Sequence, residues 1–373
     1  VGQQAAASIR QVARAARVSV GTVSNVLNRP SVVAPATRRR VLAAIDELGF
    51  VRNESARQLR SGTARTIGLV VLDVGNPFFT DLAKGVEAAA TEAGHAVMLC
   101  NSDGSRDRES RHLELLAQQQ VHGVLMSPVE DDLSSARELA ARGVSVVLVG
   151  HPAESEDLCS VAVDDRVGGE VAVTHLLATG RRHLTMIAGS PATRQCAERH
   201  AGGRQALRRA GHDPADLEFL EVATLDVAAG QRAAEQLLAR GELPDGVFCV
   251  NDLVALGLLQ VLLRAGVSVP DDVAVVGYDD IDFAAAAAVP LTSVRQPATL
   301  LGRTAADLVI AEGTGSGHQH QQVMFTPELV VRESTGHRED RGRATGGPAW
   351  GALLRPVREL GGRVGAQEPE PAG

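Results

Sequence analysis

Residues able to do chemistry stand in this chain at two kinds of place. The first is directly after short apolar runs: Asn76-Pro77-Phe78-Phe79, Asp164-Asp165, Asn251-Asp252 and Tyr278-Asp279-Asp280. Carboxylates and amides grouped this way can exchange several hydrogen bonds with a hydroxyl-rich small molecule. Aromatic residues are 2% of the chain, so two adjacent phenylalanines there carry weight; they can stack on a ligand ring or belong to a core. Each polar pair can equally cap the helix after it. Several pairs converging on one edge favour a cleft. The second place is residues 1–65, with eleven arginines, no lysine and three acids. That head carries +8 and the whole chain −8, which leaves −16 on the body. Such asymmetry suits a protein whose head alone meets a polyanion.

Catalytic signatures are thin. Neither a G-x-x-x-x-G-K-S/T phosphate loop nor a G-x-S-x-G elbow occurs, and the acidic pairs have no partnered base, so no enzymatic activity is expected. His318 and His320 lie in G-T-G-S-G-H-Q-H-Q-Q, which reads as a flexible loop, and no metal or cofactor is expected. Cys100, Cys159, Cys196 and Cys249 are scattered without a C-x-x-C pair, which suits reduced thiols in a cytoplasm and argues against structural zinc. No apolar run suggests a membrane span or a signal-peptide core, so export is not expected.

The elements that must position these residues can be read from periodicity. Ile9, Val12, Ala13 and Ala16 recur on one face of a helix. After Ser19, suited to accept the first free N–H groups of a helix, Val23, Val26 and Leu27 repeat that face. Two helices at a short break make either an ordinary hairpin or a helix-turn-helix whose second helix fits the major groove of DNA. Pro35 opens a third helix to about Leu48, with Val41, Leu42, Ile45 and Leu48 as its buried stripe. Residues 54–60 allow two helical turns at most, a helix expected to fold on contact with a partner. From Thr66, apolar runs at 67–72, 96–100, 123–126, 144–149 and 161–163 alternate with helical stretches. A second series follows at 184–188, 219–222, 246–250 and 273–276. Repeated βαβ predicts parallel sheets covered by helices, and two series predict two lobes. Ligands bind such sheets beyond the carboxyl ends of the strands, where the polar pairs fall.

The segments V-S-V-G-T-V-S-N-V-L-N (18–28), T-R-R-R-V (37–41), L-G-F-V-R-N (48–53) and A-R-Q-L-R (56–60) together resemble the headpiece of the LacI family of bacterial transcription regulators. The resemblance implies that Val20, Gly21 and Asn25 read bases while Ser19, Thr22, Ser24 and Asn28 grip phosphates. It implies further that Leu59, flanked by Arg57 and Arg60, wedges into the minor groove. Packing of Leu59 against the body or a second subunit is the alternative. Arg17 stands where the family usually has a turn glycine, and Asn25 replaces a common arginine. Asn25 suits adenine, or else a phosphate.

N-P-F-F (76–79), V-D-D (163–165), V-N-D-L-V-A-L-G (250–257), V-P-D-D-V-A-V-V-G-Y-D-D (269–280) and P-L-T-S-V-R-Q-P (290–297) extend the resemblance over the body, as a periplasmic-binding-protein-like effector domain. By that likeness Phe78, Phe79, Asp165, Arg199, Asn251, Asp279 and Gln296 line the cleft, with Leu225 where some members place an aromatic. Gly203 replaces a usual bulky aromatic, which leaves its packing open.

The expectation is therefore a small all-α helix-turn-helix headpiece (1–52), a hinge helix and linker (53–65), an α/β two-lobed, doubly wound domain (66–335) and a disordered tail (336–373). Trp350, Leu353, Leu354 and Val357 allow an oligomerisation helix in that tail as the alternative. Functionally it is a cytoplasmic homodimer that binds operator DNA as a repressor under control of a small-molecule effector. A sugar is the first choice of effector and a purine co-repressor the second. A transport-type sugar-binding protein would share the body but not the head; an architectural DNA protein would share the head but need no cleft.

Overall fold

The computed structural model describes residues 7–50, 65–153, 157–313 and 318–336. Arg57 and Leu59, the expected hinge helix and the tail beyond 336 lie outside the described residues.

The head is three helices, α1 (Ile9–Ala15), α2 (Val20–Asn28) and α3 (Pro35–Leu48). Ser8 and Gln11 form a reciprocal capping box at α1, and Ser19 caps α2 by accepting a hydrogen bond from the Thr22 N–H at 3.0 Å. Between them the chain reverses at Arg17, whose φ of 52° is the left-handed value that the usual glycine would adopt freely. Val12, Ala16, Val23, Val26, Val41 and Ala44 make the core. The expected stripe of α3 needs correction, because Leu42 is 44% exposed and Leu48 37%. The inward face is set by Val41, Ala44 and Ile45, and Leu42 lies a hundred or so degrees around the helix from Val41.

The body divides into two six-stranded sheets. In the first lobe β1 (Thr66–Val71), β2 (Ala96–Asn101), β3 (Gly123–Met126), β4 (Ser145–Val149) and β5 (Cys159–Val163) alternate with α4 (Pro77–Glu92), α5 (Arg106–Gln118) and α6 (Ser134–Ala141). Successive residues in these strands face opposite layers. Ile67, Leu69, Leu125 and Val147 share a core with α4, while Val70, Val124, Val146 and Leu148 share one with α5 and α6. The second lobe runs α7 (Asp165–Ala178), β6 (Leu184–Ala188), α8 (Arg194–Arg209), β7 (Leu217–Glu221), α9 (Val227–Ala239), β8 (Gly246–Cys249), α10 (Asp252–Arg264), β9 (Ala274–Asp279), α11 (Asp282–Ala285) and β10 (Thr292–Arg295).

The chain then returns to the first lobe. There α12 (Ala298–Glu312) packs on α4, and β11 (Gln322–Phe325) pairs with β5 in parallel. It ends in the second lobe with β12 (Glu328–Val330), antiparallel to β10. The sheets are thus parallel except at that one edge. Three short passages, after β5, β10 and β11, join the lobes. Among the described residues no helix is long and apolar enough to cross a membrane.

Candidate functional site

Between the lobes lies a cleft of about 700 Å³, open to solvent. Its walls include all eight residues singled out in the sequence: Phe78, Phe79, Asp165, Arg199, Leu225, Asn251, Asp279 and Gln296. Most arrive at the end of a strand or the start of a helix; Arg199 comes from the second turn of α8 and Leu225 from the connection between β7 and α9.

Arg199 is the centre of its charge. The side chain is 4% exposed, donates from Nε to Asp165 Oδ1 at 2.8 Å and from Nη1 to the Val250 carbonyl at 2.6 Å, and lies 3.5 Å above the Tyr278 ring. Burial opposes the charge of this guanidinium, but Asp165, Tyr278 and Asp279 outweigh it and hold its pKa above the ordinary arginine value. Its position follows from glycine. A Cβ on Gly202 would come within 1.9 Å of the Arg166 carbonyl, and one on Gly169 within 1.9 Å of the Arg199 carbonyl. Without those Cβ atoms α7 and α8 cross closely enough to seat Arg199 over Tyr278. Gly203 settles the packing left open by the sequence: Leu217 and Val173 already fill the space a side chain would need.

Asp279 joins the two lobes. Oδ2 accepts from Asn76 Nδ2 at 3.0 Å and Oδ1 from Gln296 Nε2 at 2.7 Å. Burial pushes its carboxyl above the usual range, against the opposing pull of Arg199, Asn76 and Gln296. Its backbone takes φ 102° and that of Asp280 φ 54°, so two consecutive non-glycine residues are held in left-handed conformations beside the cleft. What holds them is a buried clamp. Asp252 Oδ2 accepts from the Ile281 N–H at 2.9 Å, Asp252 Oδ1 from Ser293 Oγ at 2.7 Å, and Ser293 Oγ from the Asp280 N–H at 3.0 Å. Asp280 itself pairs with Arg295 at 2.7 Å and Arg332 at 2.6 Å.

The choice between cap and cleft is resolved differently at each pair. Asp164 caps α7 through the Val167 N–H, leaving Asp165 for Arg199. Asn251 does both, accepting from the Val254 N–H and presenting its side chain to the cleft, while Asp252 serves the clamp. Asn76 likewise caps α4 and reaches Asp279. Phe78 and Phe79 meet edge to face with ring centroids 5.1 Å apart. Asn76, Tyr278 and Gln195 were not assigned from sequence. The first two stood inside the strand-end motifs, whereas Gln195, in the first turn of α8, gave no signal.

In the head, Ser19, Val20, Gly21, Asn25 and Asn28 are exposed on α2, with Thr22 and Ser24 partly so. Val20, Gly21, Ser24, Asn25 and Asn28 share the face opposite Val23 and Val26, which turn into the core. Asn28 Nδ2 donates to Ser24 Oγ at 3.1 Å. Nothing lies nearer than 3.6 Å to a Cβ built on Gly21, so the head alone leaves room for a side chain there.

Fold and site together define a class: a hinged two-lobed receptor with a polar cleft, preceded by a helix-turn-helix head. Known proteins place it further. The family described as "Bacterial regulatory proteins, lacI family" matches residues 8–53, and "Periplasmic binding protein-like domain" matches residues 173–335. The HTH-type transcriptional repressor PurR of Photobacterium profundum is 34% identical over 332 residues, covering 88% of this chain and 98% of that protein. The ribose operon repressor of Escherichia coli is 36% identical over 330 residues, covering 88% and 99%. Among solved structures, a transcriptional regulator CelR–cellobiose complex superposes with a TM-score of 0.65 at 35% identity, covering 88% of this chain and 99% of that one. The lac repressor dimer bound to operator and the anti-inducer ONPF gives 0.76 at 26%, covering 89% and 99%. The chain belongs to the lacI family of bacterial regulatory proteins, DNA-binding transcription regulators.

Proposed function

We propose that this protein is a cytoplasmic, homodimeric repressor whose α2 reads one half-site of a two-fold operator and whose cleft binds a sugar or related polyol. The observation that carries the effector reading is the convergence of Arg199, Asp165, Asp279, Asn251 and Gln296 beside Phe78 and Phe79. Planar bidentate donors and acceptors match adjacent hydroxyls, and one aromatic wall matches the apolar face of a sugar ring. Both lining phenylalanines come from α4, with Leu225 among the residues lining the rest, so a flat base would be stacked from one side only. The CelR relative solved with cellobiose and the relation to a ribose operon repressor agree with this reading. A purine is the second reading, favoured by the 34% identity to PurR.

The dimer reading is supported by the lac repressor dimer neighbour and by edge strand β2, which leaves Met98 and Leu99 exposed with Leu115 of α5. A receptor is favoured over a catalyst because the cleft carboxylates are already engaged, Asp165 by Arg199 and Asp279 by two amides.

Calorimetric titration of the full chain with pentoses, hexoses, disaccharides, hypoxanthine and guanine tests the effector. Saturable binding of a saccharide with no nucleobase response is expected; the reverse pattern would transfer the assignment to purines. An operator selected from random duplexes tests the head. Failure to enrich any sequence would remove the DNA-reading role.

A further inference from the structure

Away from the cleft, at the far end of the first lobe, four side chains of metal-ligating type meet. Cys159 opens β5, Glu312 closes α12, and His318 and His320 stand just ahead of β11. Their sulfur, carboxylate and imidazole atoms all lie within 4.8 Å of one another. Cys159 Sγ is 3.1 Å from His318 Nε2 and 3.7 Å from His320 Nδ1. Tetrahedral zinc with bonds of about 2.3 Å to sulfur and about 2.05 Å to nitrogen separates such atoms by roughly 3.5 Å, between the two observed values.

The surroundings need a cation. Glu312 Oε2 is buried and has no hydrogen-bond partner among the described residues. A buried carboxylate oxygen with nothing to donate to it is costly, and a cation held between it, the sulfur and the two imidazoles would supply the missing partner. We propose that Cys159, Glu312, His318 and His320 form a tetrahedral zinc site that fastens the segment before β11 to β5 and to the end of α12. One thiolate, two imidazoles and one carboxylate are a donor set of the borderline softness that zinc takes. On binding, the Cys159 thiol releases its proton to solvent and a metal–sulfur bond forms. Four protein ligands leave no open position, so the ion is structural. It binds two strands, β5 and β11, that both run on into passages between the lobes.

The full chain, prepared without a histidine tag and stripped by a chelator, should take up one Co²⁺, displaced by Zn²⁺. The cobalt form should show thiolate-to-metal charge-transfer absorption and the intense visible bands of tetrahedral geometry. Cys159→Ser should lose the charge-transfer band. Because Cys159 is buried, His318→Gln and His320→Gln serve as the second pair of variants, and each should weaken cobalt binding by at least about 100-fold. Zinc should raise the melting temperature of the stripped chain and leave that of the histidine variants unchanged. Failure to bind one ion per chain, a pale octahedral spectrum, or histidine variants that bind like the wild type would each overturn the site.

Discussion

Asp252 shows how a residue can matter to a cleft without touching its ligand. It is fully buried and accepts from Ile281 and Ser293, fixing the turn that presents Asp279. Burial, with Asp279 nearby, pushes its carboxyl well above the usual range. A folded pKa above the unfolded one means that the native state holds the proton more tightly, so this group's contribution to stability grows as pH falls from neutral toward the unfolded value. Asp252→Asn keeps one acceptor and removes the charge. The wild-type melting temperature should gain more between pH 8 and pH 5 than that of the variant; equal gains would show that Asp252 stays ionised in the native state across that range and that its carboxyl is not held above the usual range. Asp279→Asn makes the complementary case in the cleft itself. Asparagine would set its NH2 against the donor amide of Asn76 or Gln296, so the melting temperature should fall, and loss of a charge-assisted acceptor of about 1.5–3 kcal/mol should weaken saccharide binding roughly ten- to a hundredfold. Unchanged affinity in titration calorimetry would remove Asp279 from the site. These roles separate two neighbours that the sequence presents as equivalent acidic positions.

At the scale of elements, close helix crossing is what the site depends on. Gly202→Ala would drive a methyl into the Arg166 carbonyl, a backbone atom that cannot rotate away, at a cost of about 1–3 kcal/mol. Since Arg199 lies one turn earlier on α8, the variant should lose both melting temperature and saccharide affinity; a normal melt would mean that the helices part without strain. Periodicity made most of these elements legible, because buried parallel strands are continuous apolar runs and most of the helices between them end at glycines, α5 with Gln120 at φ 51° being an exception. Nine strands and the three head helices could be located in this way. The strands that escaped, β10, β11 and β12, are only three or four residues long, and β10, Thr292-Ser293-Val294-Arg295, is polar, its buried hydroxyls satisfied by partners distant in sequence. With them went the return of the chain to the first lobe. Phe78, Phe79, Asp165, Asn251 and Asp279 were legible because strand-end motifs and family likeness coincide there, whereas Arg199, Leu225 and Gln296 were legible from the likeness alone. The Cys159 cluster was not, since 159 residues separate its sulfur from His318 and only the β5–β11 pairing brings them together.

For the whole molecule the question is how a cleft in the body can govern a head with its own core. Three short passages and the Asn76–Asp279 hydrogen bond join the lobes, so a ligand that bridges Phe78 and Arg199 favours one angle between them. In a dimer that angle sets the distance between the two chains where they leave Thr66 toward the heads. The ligand can then shift DNA binding by as much as its affinities for the two lobe arrangements differ, and no more. Leu59 lies in the connection, outside the described residues, and we propose, from the family likeness, that it inserts into the minor groove when the spacing is right. Burying a leucine contributes about 1.5–3 kcal/mol, so Leu59→Ala should weaken binding to the selected operator roughly ten- to a hundredfold. The slope of affinity against salt should stay the same, because the phosphate contacts of the arginine-rich head remain. Saccharide affinity in the absence of DNA should also stay the same. Bending of the operator, followed by energy transfer between labelled ends, should decrease in the variant. A variant that binds more weakly but bends DNA as far as the wild type would assign Leu59 to packing between subunits rather than to the groove.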